Sequence, residues 1–216
     1  MSATLRTEQE SAPQRRAFWL KTLHRWHWIS SALCLISLIL FTATGITLNH
    51  AAQIKAKPVV TTQERELPDA LQAELAASAV PPDTQAPLPA HIQDWLRTEL
   101  GITRASRDAE WSEAEVYLAL PRPGGDGWVS LERDSGAVTY EITDRGWIAY
   151  FNDLHKGRDT GPAWAWFIDI FAVACLVFAI TGLFLLQLHG GNRPATWPVV
   201  GLGVIVPLLL ALLFIH

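Results

Sequence analysis

The chain has 216 residues, half of them hydrophobic, with 10 Trp, 7 His, 2 Cys and a formal charge of −4. Such a composition suits a small membrane protein with aromatic interfacial belts, and the negative charge argues against a nucleic-acid partner. Cys34 and Cys175 both fall inside apolar runs, which excludes a disulfide in the polar middle of the chain and a four-cysteine iron–sulfur cluster.

Residues 1–25 are polar and basic, with Arg6, Arg15, Arg16, Lys21 and Arg25 against Glu8 and Glu10, so the positive-inside rule keeps this flank in the cytoplasm. Residues 26–50 form the first predicted span. After Arg25 no Asp, Glu, Lys or Arg occurs before Lys55, and the run Ile29 to Leu48 reaches roughly 30 Å as a helix, the thickness of a hydrocarbon core. A cleaved signal peptide with a small-residue site near Ala51 and Ala52 would carry a shorter apolar core, of about 7 to 15 residues.

Residues 51–90 read as a Pro/Ala-rich linker, broken by Pro58, Pro68, Pro81, Pro82, Pro87 and Pro89, with one short helix around Asp69 to Ala79. Residues 91–162 read as a small extracytoplasmic domain followed by an interfacial segment. Ile92, Trp95, Leu96 and Leu100 have helical spacing, and Gly101 stops that helix. Val116, Leu118 and Leu120 alternate as a strand. The loop PRPGGDG separates them from Val129 and Leu131, and Asp134-Ser135-Gly136 turns the chain into Val138 to Thr143. One helix on a small antiparallel sheet is expected, with Trp95, Val116, Leu118 and Leu131 in its core. From residue 51 to residue 162 there are 18 acidic and 11 basic residues, an acidic surface that is either simply solvated or receives a cationic partner.

Residues 163–189 form the second span, with Trp164 and Trp166 at its outer interface. Residues 190–196 form a cytoplasmic turn bearing Arg193, and residues 197–216 a third span bent at Pro207, which puts His216 outside. The expected architecture is therefore a membrane α-helical protein with three transmembrane helices and an inserted small α+β extracytoplasmic domain.

All histidines but His91 lie near a predicted membrane boundary. Haem iron held through two imidazoles needs histidines on two facing elements. His50 and His155 offer such a pair on the outer side, and His24 or His27 with His189 offers one on the inner side. At about 100° per residue His50 is rotated about 80° from His24 and about 140° from His27, which favours His24 for a single cofactor-lining face. A histidine at a helix end is also commonly a solvated, dipole-favoured residue, and the residues alone leave both readings open for His24, His50 and His189. His27 reads as interfacial, His155 also as a helix cap, and His91 and His216 as surface residues. Asp169 lies about two turns into the second span, where a carboxylate usually faces a bundle interior or a partner; Arg158 and the outer histidines are candidates, as is snorkelling to the interface.

The stretches HRWHWISSALCLISLILFTATGITLNH, NDLHKGRDTG and WFIDIFAVACLVFAITGLFLL, with the paired steps Thr44-Gly45 and Thr181-Gly182, resemble the PepSY-associated transmembrane family in its small three-span form. Trp128 to Tyr140 resembles the second half of a PepSY unit. The resemblance implies a bacterial inner-membrane protein whose larger relatives are haem-containing reductases passing electrons across the membrane, in some cases to ferric siderophores. His24, His50 and His155 fall on the family's motif positions, whereas His189 and His27 rest on geometry. With no CxxCH, the cofactor implied is non-covalent haem b. Lacking a nucleotide-binding fingerprint, the chain would draw electrons from a quinol or a separate donor and pass them to a periplasmic acceptor. PepSY units are also associated with peptidase inhibition and accessory roles, so a cofactor-free membrane protein binding a partner enzyme is the alternative. A purely structural membrane subunit is a third reading.

Overall fold

The computed structural model describes residues 2–55, 57–190 and 193–215. His216 and part of the expected 190–196 turn, Gly191 and Asn192, lie outside them. Two compact units divide the chain: residues up to Leu40 with those from Phe167 onward, and Phe41–Trp166.

The first helix is α1 (Ser2–Asn49), which includes Pro13 and has no glycine before Gly45. Its portion Gln14–Asn49, together with α5 (Pro162–His189) and α6 (Thr196–Phe214), is long and apolar enough to cross a membrane. Pro207 lies inside α6, which continues past it. Burial follows membrane rather than aqueous logic. Among the described residues, Ser30, Cys34 and Thr181 are the buried side chains of the first unit's helices, while Leu33, Ile36, Ile170, Val173 and Leu176 face outward. Small and weakly polar residues let helices approach closely, and large aliphatic ones meet lipid at no cost. His24 meets His189 and His27 meets Thr181, so α1 and α5 run antiparallel.

The second unit holds a six-stranded sheet, ordered β1-β6-β5-β4-β3-β2, with all neighbours antiparallel. Its strands are β1 (Val59–Glu66), β2 (Thr84–Pro87), β3 (Asp108–Trp111), β4 (Glu115–Ala119), β5 (Gly125–Glu132) and β6 (Ala137–Asp144). Helices α2 (Asp69–Ala77) and α3 (Ala90–Leu100) supply Leu75, Ile92 and Leu96 to a core shared with Trp111, Val116, Leu118, Val129, Leu131 and Val138. Each fully buried aliphatic side chain contributes about 1.5–3 kcal/mol relative to exposure. Trp95 packs only partly buried against this core. Gly101 ends α3 in the left-handed conformation, at φ 68°.

The linker reading of 51–90 does not hold over residues 59–87. β1 pairs with β6 along all eight residues, β2 pairs with β3, and Leu75 is fully buried. β1 is an edge strand, exposed at nearly every position, so it carries no apolar alternation to read. The prolines terminate elements rather than preventing them: Pro68 and Pro89 precede the first residues of α2 and α3, and Pro87 ends an edge strand. Of the PRPGGDG loop only residues 121–124 form the turn, since β5 already begins at Gly125. A further helix, α4 (Trp147–Lys156), occupies the segment read as interfacial.

Candidate functional site

Five histidines near the ends of the apolar helices have Nδ1 held by an oxygen. Three bond within their own helix: His24 to Leu20 O at 2.8 Å, His50 to Ile46 O at 2.9 Å and His189 to Leu185 O at 2.9 Å. A carbonyl only accepts, so Nδ1 donates, and in the neutral ring that tautomer leaves the lone pair on Nε2.

His27 and His155 instead reach to another helix, and they do so in the same way. His27 Nδ1 lies 3.0 Å from Thr181 Oγ1 and 3.2 Å from Phe178 O, and its ring stacks on Phe178 with centroids 4.6 Å apart. His155 Nδ1 lies 2.7 Å from Thr44 Oγ1, and its ring packs 5.0 Å from that of Phe41. Each threonine hydroxyl donates to its own helix, Thr181 to Val177 O at 2.7 Å and Thr44 to Phe41 O at 3.1 Å, which leaves it accepting from the imidazole. The next residue is glycine in both. A Cβ on Gly45 would stand 3.6 Å from His155 Cε1, and one on Gly182 3.2 Å from His27 Cε1. FTATG (41–45) and FAITG (178–182) are thus one seat used twice: Phe packs the ring, Thr fixes Nδ1 and Gly admits the imidazole.

The two expected pairs fare differently. His24 and His189 stand with ring centroids 5.7 Å apart at 89°. Among the described residues no hydrogen bond or ring contact joins His50 to His155; His50 is exposed, while His155 is bound nearly two turns earlier on α1. Beside the inner pair, a cavity of about 540 Å³ is lined by His27, His189, Phe178, Ala179, Gly182 and three leucines. That volume falls in the ~300–1,000 Å³ range of small-molecule and cofactor sites.

In the second unit, Thr47 Oγ1 donates to Asn152 Oδ1 at 2.7 Å, and Trp164 Nε1 donates to Leu154 O at 2.9 Å, locking α4 and with it His155. Arg158 pairs with Asp159 at 3.4 Å. Asp169 is exposed and makes no hydrogen bond or ion pair among the described residues. His91, at the surface, faces Glu74 at 3.3 Å. The sheet face carrying Tyr117 is acidic: burial, then the carboxylates of Asp126, Glu110, Glu115 and Glu141, push the Tyr117 phenol above its ordinary range.

No group of three or more His, Cys, Asp or Glu among the described residues is placed to hold a bare metal ion. Haem asks less of a protein, because the macrocycle supplies four iron ligands and the chain only the axial ones. Imidazoles with a fixed Nδ1–H and a free Nε2 are the donor set that role needs, so the residues present fit the group.

Three apolar helices, two of them antiparallel neighbours lined with histidine, and a six-stranded antiparallel sheet define a multi-pass membrane protein. The chain belongs to the PepSY_TM-like family, whose model matches residues 18–216. No curated protein and no solved structure matches it significantly.

Proposed function

We propose that this protein is a b-type haem electron carrier of the bacterial inner membrane, passing electrons outward from a quinol or separate donor to a periplasmic acceptor such as a ferric chelate. The observation that carries the reading is the ring contact of His24 and His189 across α1 and α5, each with Nδ1 held by a backbone carbonyl. Holding Nδ1–H sets the tautomer, orients the ring and raises the basicity of Nε2. His27 stands beside this pair, and Gly182 and Ala179 leave room for a flat ligand to approach the backbone. Toward the other end of α1, His155 is seated on Thr44 and His50 presents its Nε2 at the helix terminus. Bound haem would supply a one-electron redox couple, while the protein supplies axial nitrogens and an apolar surround.

Pyridine haemochrome and reduced-minus-oxidised spectra of the purified protein test this. Haem is expected in the wild type, and its loss from the inner site in His24→Ala and His189→Ala. A colourless protein after haem-supplemented expression, or full haem in both variants and in His50→Ala and His155→Ala, overturns the reading. Stoichiometric co-purification of a colourless protein with an enzyme would favour an accessory role.

A further inference from the structure

Between residues 51 and 162 acidic side chains outnumber basic ones 18 to 11, yet five of those bases line one cavity of about 510 Å³. They are Lys55, Lys57, Arg145, Lys156 and Arg158, against the single acid Asp153. That carboxylate is already engaged: Oδ2 accepts from the Gly124 N–H at 2.9 Å, and Oδ1 lies 3.2 Å from Lys156 Nζ. Asp159 occupies Arg158. Lys55 and Lys57 are exposed and have no ion pair among the described residues. Arg145 donates from Nη2 to Gly125 O at 2.7 Å, but its Nε is buried without a partner.

The same cavity receives the start of α4. Its N-cap is Gly146, with no side-chain cap, so the first-turn N–H groups of Trp147, Ile148 and Ala149 sit at the positive end of the helix among the cavity-lining residues. Asp144 Oδ1 accepts from the Gly146 N–H at 2.7 Å, and the N–H groups of the following turn, together with the cations, favour a phosphate. The surroundings identify its source. Leu48, at the end of the apolar α1, forms part of the wall, and α4 turns Trp147 and Ile148 outward, 76% and 46% exposed, with Tyr150 and Phe151 beside them. An amphipathic helix with exposed aromatics directly beyond an apolar span sits at headgroup depth.

We propose that this cavity binds the phosphate of an anionic phospholipid headgroup, with Lys55, Lys57 and Arg145 as its cationic wall and the α4 N-terminus as its cradle. The site is independent of the haem reading. Native mass spectrometry of the full-length protein, equilibrated in detergent with equal phosphatidylglycerol and phosphatidylcholine, tests it. Wild type should retain phosphatidylglycerol preferentially. Lys55→Gln/Lys57→Gln should lower that retention by roughly tenfold or more, Lys55→Arg/Lys57→Arg should restore it, and millimolar inorganic phosphate should not displace the lipid. Equal retention of the two lipids overturns the proposal, as does unchanged retention in the glutamine variant. Displacement by inorganic phosphate that itself binds in a lysine-dependent way would assign the site to a soluble anion instead. If the double variant unfolds, Lys55→Gln and Lys57→Gln singly give the same readout.

Discussion

At the scale of the residue, the two Phe-x-x-Thr-Gly seats make separable demands on threonine and glycine. Thr44→Val keeps the shape but removes the acceptor for the His155 Nδ1–H, leaving a partly buried donor unpaired. A loss of about 1–3 kcal/mol is expected, with Thr44→Ser close to wild type, and thermal unfolding in detergent checks it. Equal losses in both variants would mean that the hydroxyl is not what matters. The glycines should differ from each other. A Cβ at Gly182 would come within 3.2 Å of the His27 ring, whereas one at Gly45 would make ordinary contact with His155 at 3.6 Å. Gly182→Ala should therefore displace His27 and alter its tautomer signal in ¹⁵N NMR spectra, and Gly45→Ala should leave His155 in place. The Thr-Gly steps were visible as a pattern, but their partners were not, because each seat receives a histidine more than 100 residues away.

At the scale of the element, α2 tests whether residues 59–87 belong to the folded domain. Its Leu75 is fully buried among residues of the sheet and α3. Leu75→Ala should cost about 2–5 kcal/mol in the stability of the sheet domain, read by its unfolding transition, whereas in a linker the same change would be silent. This is also where the sequence was legible in part. α3 and the meander β4-β5-β6 declare themselves through Ile92, Leu96, Val116, Leu118, Leu131 and Val138, which face one core at the periods of 3.6 and 2. β1 does not, since its neighbours bury almost none of it and pairing with β6 rests on backbone hydrogen bonds alone. α4 was obscured for a related reason: its apolar residues point outward, while the buried ones, Asn152 and Asp153, are polar and satisfied by Thr47 and Gly124.

At the scale of the whole molecule, the order of elements constrains how the chain meets the bilayer. The sheet domain falls in sequence between α1 and α5, so its two connections lead to successive candidate spans that run antiparallel. If α1 and α5 both cross the membrane, the antiparallel second span returns the chain to the side it left, and residues 51–162 are then expected on one side. Which side is decided by charge near the apolar ends, counted over the flanks rather than over long loops. Arg15, Arg16, Lys21 and Arg25 precede the first span, and Arg193 stands between the second and third. Both sets fall on the same side if α1, α5 and α6 all cross, and that agreement favours a cytoplasmic N-terminus with residues 51–162 outside. Lys55, Lys57, Lys156 and Arg158 flank the opposite ends of α1 and α5 and weigh the other way, so the orientation rests on the basic flank of the first span, which usually dominates. Alkaline phosphatase fused after Leu100 should be active, and a cytoplasm-only reporter at the same point silent. Exchange of Arg15, Arg16, Lys21 and Arg25 for Gln should weaken that asymmetry. A fusion after Leu100 that works only in the cytoplasm would invert the topology, and would direct electrons from the histidine ends of α1 and α5 the opposite way.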